Sequence, residues 1–126
     1  FPWVKAEIVY SEELAHKIYA GSDFIIIPSR YEPCGLIQMI AARYGTIPIA
    51  SKTGGLKDSI ANGKNGFLFE KGKSVRLKKV IKHALNVWKD KLRYRKMVLA
   101  AMRKDFSWDK SAVLYKRLYQ EIINKE

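Results

Sequence analysis

The stretch FIIIPSRYEPCGLIQMIA, Phe24–Ala41, is two apolar segments joined by a polar turn. Phe24 to Ile27 is a short apolar run rich in isoleucine, the length and composition of a buried strand. Pro28 ends it, and Ser29, Arg30 and Glu32 carry the chain through a polar loop. Pro33, Cys34 and Gly35 form a tight turn. From there Leu36, Met39, Ile40 and Ala42 predict a helix that ends near Tyr44 and Gly45. Strand, loop and helix in this order build an open parallel sheet, whose ligands sit beyond the C-terminal ends of the strands. The helix points unpaired backbone N–H groups back at the loop, where phosphate or sugar oxygens can accept them. Glu32 is the loop's only carboxylate. Beside an anion site it suits hydroxyl groups or a developing positive charge better than phosphate.

Working outward, Val4 to Tyr10 alternates weakly and predicts a strand or a strand end. Ser11 is placed to cap a helix, with Glu12 and Glu13 at the positive end of its dipole. Leu14, Ala15, Ile18 and Tyr19 give that helix its apolar face, and Gly21 stops it. Downstream, Ile47 to Ala50 predicts a second strand, followed by the glycine turn Ser51–Leu56 and a short helix over Leu56–Ala61. Asn62 to Gly66 is turn chemistry, with Gly63 and Gly66 free to take positive φ. Phe67 to Phe69 predicts a third strand. This alternation predicts an α/β fold: a Rossmann-like parallel sheet with flanking helices, followed by a helical C-terminal segment. Residues 1–70 supply the sheet and its loops, and 71–126 the helices. There, Leu77, Val80, Ile81, Ala84, Leu85 and Trp88 mark one stripe. Tyr94, Met97, Val98, Ala101 and Met102 mark a second. Ser107 starts a third, with Trp108, Ala112, Tyr115, Tyr119 and Ile122. All three read as packing faces on the sheet or on one another.

The 126 residues suit one domain, short for an enzyme that must hold two substrates. A net charge of +12 points to an anionic partner or to a very soluble surface. A single cysteine excludes an internal disulfide and suits a reducing compartment. The opening FPWVKAEIVY has no charged n-region followed by an apolar core, so no signal peptide is expected, and no apolar run reaches membrane-spanning length. The chain opens without Met in a strand-like stretch, as a fragment would.

Two junctions have the form of an oxyanion site, Glu32–Leu36 and Thr53–Leu56. In the second, Gly54 and Gly55 permit close backbone approach and Thr53 can cap the helix. If the two strands are parallel neighbours, both junctions open at one edge of the sheet. No dinucleotide fingerprint or P-loop is present. His16 and His83 have no metal-ligand spacing, so no metal site is expected. Cys34 has no base beside it and reads as a small turn residue. Tyr10 is placed either to stack on a base or to sit at the core edge.

The segments YSEELAH from Tyr10, AGSDFIIIPSRYEPCGL, RYGTIPIASKTGGLKDS, NGFLF and DFSW together closely resemble the C-terminal domain of bacterial glycogen synthases and plant starch synthases. The resemblance covers nearly the whole chain and is weakest in the helices from Arg76 to Lys104. It implies two Rossmann-like domains, a GT-B architecture with the active site in the cleft between them. It also implies transfer of glucose from ADP-glucose or UDP-glucose to the non-reducing end of an α-1,4-glucan, with retention and without metal or other cofactor. By the same resemblance Glu32 is the essential carboxylate at the donor glucose. Cys34 and Gly35 hold sugar hydroxyls through backbone N–H groups, and Leu36 and Ile37 meet the diphosphate. Tyr10 stacks on adenine, and Thr53, Gly54 and Gly55 line the donor site. Ile37 stands where Thr is usual. Ile40 stands where related retaining transferases carry a second glutamate, a difference shared by the synthases. Lys52 lies in a KTGGL motif that in the family belongs to the other domain, so it does not take the donor-lysine role. EPCG with Gln38 favours the synthase over other retaining transferases of this architecture.

The resemblance further implies that this chain is part of the nucleotide-sugar-binding domain. By the same resemblance, the acceptor domain and the cationic loop that grips the diphosphate are expected to lie outside these residues. The expectations are that the isolated chain transfers no glucose, binds ADP weakly and tends to self-associate. A cytoplasmic or plastid location and no membrane partner are also expected. A basic module that binds nucleic acid is the rival class, but the chain lacks its motifs and its interleaved aromatics.

Overall fold

The computed structural model describes residues 2–70, 72 and 74–124. The elements run α1 (Glu12–Gly21), β1 (Phe24–Ile27), α2 (Ile37–Tyr44), β2 (Ile47–Ser51), α3 (Gly54–Ser59), β3 (Phe67–Phe69), α4 (Ser74–Lys89), α5 (Lys91–Met102) and α6 (Trp108–Ile123). The strands form one parallel sheet in the order β1-β2-β3, with Phe24 opposite Ile47 and Ile49 opposite Phe67. The α/β expectation therefore holds, and both glycine junctions leave neighbouring strands at the same edge. The division drawn between residues 70 and 71 falls on residue 71, outside the described residues.

β2 lies in the middle and is buried throughout. Its alternate side chains serve opposite faces of the sheet. Ile47 and Ile49 join Phe67, Phe69, Ala42, Ala84, Val87, Met97 and Ala101 in the larger core under α2, α4 and α5. On the other face Ala50 packs with Ile27, Leu56 and Ile60 under α3. Pro48 is tolerated in this central strand because its ladder with β3 begins one residue later, at Ile49. Gly45 closes α2 at φ 84°, in the left-handed region, with its N–H on the carbonyls of Ala41 and Ala42.

Several expectations are corrected. Residues 4–10 form no strand, and Val4, Ile8 and Val9 are exposed; alternation alone makes no strand without a ladder partner. α3 starts at Gly54, two residues before the expected Leu56, and ends at Ser59. Gly66 has no positive φ, unlike Gly63 at 77°. It is glycine because a Cβ there would lie 2.9 Å from Ile60 and Pro48. In α4 the inner residues are Ala84 and Val87, while Leu85 is 47% exposed. α6 buries none of its residues, and Trp108 is 83% exposed. The third stripe is thus a genuine amphipathic face that packs on nothing described in this chain. β1 is an edge strand, and Ile26 is half exposed on it.

Candidate functional site

The loop after β1 is shaped by its own side chains. Ser29 Oγ donates to Glu32 Oε2 at 3.2 Å, which orients the half-buried carboxylate. Gly35 follows at φ 77°, a conformation that favours glycine. Leu36 occupies the cap position of α2 with no side-chain acceptor to offer. Ser, Thr, Asp or Asn there is worth about 0.5–2 kcal/mol. Leu36 and Ile37 are instead 65% and 43% exposed. Among the described residues, the backbone N–H groups of Gly35, Leu36 and Ile37 find no partner. A helix start without a side-chain cap on an exposed surface leaves backbone donors open to the oxygens of water or a ligand.

The loop after β2 is built differently. Gly55 N–H donates to the Glu32 carbonyl at 3.1 Å, and Leu56 N–H to the Thr53 carbonyl at 3.1 Å. Thr53 is buried and makes no side-chain capping bond, which corrects the expected cap. A Cβ on Gly54 would stand 1.8 Å from the Glu32 carbonyl oxygen, and one on Gly55 2.0 Å from that of Cys34. The close approach these glycines permit is therefore to the first loop. Gly54 and Gly55 brace Glu32 and Cys34 from behind.

Tyr10 is 91% exposed, and its hydroxyl lies 3.4 Å from Glu12 Oε1. Although far away in sequence, it lines the same groove of about 440 Å³ as Ile37 and Ile40, with His16 and Tyr19. His16 Nδ1 is 2.8 Å from the Tyr44 hydroxyl, which fixes α1 against α2. Cys34 is exposed and free. Lys52 pairs with Glu70 at 3.2 Å on the surface. Neither His16 nor His83 joins a group of three His, Cys, Asp or Glu residues fit to hold a metal, among the described residues.

The sequence reading missed the polar network beneath the loop. Gln38, 2% exposed, donates from Nε2 to the carbonyls of Gly35 at 2.8 Å and Cys34 at 3.3 Å, and meets Ser59 Oγ at 3.1 Å. Ser59 Oγ in turn donates to the Gly55 carbonyl at 2.6 Å. Lys104 Nζ donates to the Ser59 carbonyl, and burial, then the nearby Lys110, lowers its pKa. A glutamine in the first turn of a helix gives no signal of this kind in sequence.

Residues 8–99 match the family model described as glycosyl transferases group 1. The chain belongs to that family. It is 48% identical over 122 residues to a glycogen synthase of Thermodesulfovibrio yellowstonii, covering 97% of this chain and 24% of that protein. The catalytic domain of starch synthase IV from Arabidopsis thaliana, bound to ADP and acarbose, superposes with a TM-score of 0.80. That match is 45% identical and covers 90% of this chain and 25% of that one. The Anabaena protein HepE in complex with UDP gives a TM-score of 0.60 at 26% identity, covering 68% and 23%. The chain thus spans about a quarter of the length of the curated glycogen synthase it matches. Its parallel sheet and flanking helices are those of GT-B transferases. Among the described residues no helix is long and apolar enough to cross a membrane.

Proposed function

We propose that this chain is the nucleotide-sugar-binding part of a glycogen or starch synthase. It holds ADP-glucose, or UDP-glucose, while the glucosyl group passes to the non-reducing end of an α-1,4-glucan with retention. The observation that carries this reading is the uncapped start of α2, whose N–H groups find no partner among the described residues, at the end of the loop that carries Glu32. In the reaction the bond from the anomeric carbon to the diphosphate oxygen breaks and negative charge grows on the diphosphate. Backbone donors at Leu36 and Ile37, aimed before the reaction starts, stabilise that charge together with the dipole of α2. Glu32 faces the donor glucose, where its negative charge favours a sugar ring becoming positive. Cys34 and Gly35 hold hydroxyl groups through their N–H groups, and Tyr10 stacks on the base at the rim of its groove. The ADP-bound and UDP-bound relatives support a nucleotide in this position.

The glucan binds on a partner domain, and proximity of the two substrates supplies much of the barrier reduction. Residues 1–126 alone should transfer nothing, bind ADP weakly, and self-associate through the open edge of β1. The protein is cytoplasmic, or plastidic in a plant. The test is incorporation of labelled glucose from ADP-glucose and UDP-glucose into glycogen by the intact protein. Incorporation from either supports the reading. Incorporation from neither, with another sugar nucleotide accepted, would assign the chain to a different retaining transferase.

A further inference from the structure

The geometry points to Gln38 as the residue that aims the backbone donors of the donor site, a positioning role that rests on the reading above. Gln38 sits within the first turn of α2 and is almost wholly buried. Its Nε2 holds the carbonyls of Cys34 and Gly35 inward. A trans peptide is planar, with C=O and N–H on opposite sides. A carbonyl drawn inward therefore turns the N–H of the next residue outward. The Cys34 carbonyl belongs to the peptide of Gly35 N–H, and the Gly35 carbonyl to that of Leu36 N–H. One side chain thus fixes two adjacent peptide planes, and these carry two of the three N–H groups that lack a partner among the described residues.

The amide orientation follows from its neighbours. Two carbonyls face Nε2, and the Ser59 hydroxyl beside it spends its proton on Gly55. Reversing the amide would set its oxygen against two carbonyl oxygens. In the orientation that remains, Oε1 is buried with no hydrogen-bond partner. It lies 2.6 Å from where a Cβ of residue 35 would stand, so a Cα–H of Gly35 faces it. The protein leaves one buried oxygen unpaired, which is costly, and gains two fixed peptide planes at the site. Ser59 and Lys104 extend the brace, linking the loop to α3 and to the segment before α6.

The test is Gln38→Met in the intact protein, which keeps the length of the side chain and removes both protons. Loss of one aimed donor in an oxyanion site costs about 100- to 1,000-fold in rate. Because Gln38 acts through the backbone, kcat/KM for the nucleotide sugar should fall roughly 30- to 100-fold. KM for glucan should stay at the wild-type value, since the brace bears on the loop proposed to hold the donor. Unchanged kcat/KM for the donor in a folded variant would overturn the proposal, and so would an equal rise in KM for glucan. A wild-type protein that transfers glucose from no nucleotide sugar would instead overturn the underlying reading. Should the variant fail to fold, the wild-type protein labelled with 15N in its glutamine side chains carries the test. ADP should shift the Gln38 side-chain amide with the same Kd as the Gly35 and Leu36 amides, and an unmoved Gln38 resonance would overturn it.

Discussion

The two glycine junctions look alike in sequence and differ in where their N–H groups point. After β1, the N–H groups of Gly35, Leu36 and Ile37 find no partner among the described residues. After β2, Gly55 spends its N–H on the carbonyl of Glu32. Under the proposed function the first junction is the surface for the nucleotide sugar, and the second is the support that holds it. Glycine serves a different need in each. At Gly35 it permits a left-handed turn over a buried glutamine. At Gly54 and Gly55 it lets one backbone lie against another at distances no Cβ would allow.

Substitutions can break this contrast, and the largest effect is expected at Glu32. Glu32→Gln keeps the Ser29 contact and removes the charge. Turnover of the intact protein should fall on the order of 100-fold or more, with ADP affinity changed little. Steady-state kinetics beside calorimetry with ADP would check it, and near-normal turnover would count against the role of the carboxylate. Gly54→Val comes next. It acts by pushing the Glu32 carbonyl away, so it should weaken nucleotide binding roughly tenfold and destabilise by about 1–3 kcal/mol. Helical content should hardly change by circular dichroism. Unchanged ADP affinity in calorimetry would show that the second junction supports nothing. Tyr10→Ala should cost about 1–3 kcal/mol of nucleotide affinity with no change in melting temperature, since the side chain is exposed. A normal ADP titration would remove Tyr10 from the site.

The smallest effect lies away from both junctions. The Tyr94 hydroxyl donates to the Asp23 carbonyl at 2.8 Å and ties α5 to the start of β1. Burial first, then the charge of Asp23 and the hydrogen bond to it, push its pKa from 10 up to about 12. The folded state therefore keeps the proton to higher pH than the unfolded chain does. The stabilisation is complete below pH 10 and is lost as pH rises through about 12. Tyr94→Phe should cost about 1 kcal/mol at neutral pH. It should also flatten the decline in stability over that alkaline window, as followed by urea denaturation at several pH values. An unchanged alkaline decline would show that another group sets it.

Much of the fold was legible because its strands are short apolar runs between turn residues. Phe24–Ile27, Ile47–Ala50 and Phe67–Phe69 carry the sheet almost as read. What failed depends on partners outside local sequence. Residues 4–10 have the alternation of a strand but no neighbour to pair with. The stripe on α6 has the spacing of a packing face, yet nothing described in this chain covers it. At the site, the loop from Glu32 to Leu36 was legible from its turn chemistry and its single carboxylate. The inward use of Gly55, the missing cap on Thr53 and the brace from Gln38 were not, because each depends on peptide planes that meet across two loops.

Amide hydrogen exchange at the two junctions of the intact protein, with and without ADP, tests the contrast most directly. Without ADP, Gly55 should exchange slowly, and Gly35 and Leu36 fast. Adding ADP should slow Gly35 and Leu36 and leave Gly55 nearly as it was. Protection gained at Gly55, with Gly35 and Leu36 still exchanging freely, would contradict the assignment of ligand surface and support to these two loops.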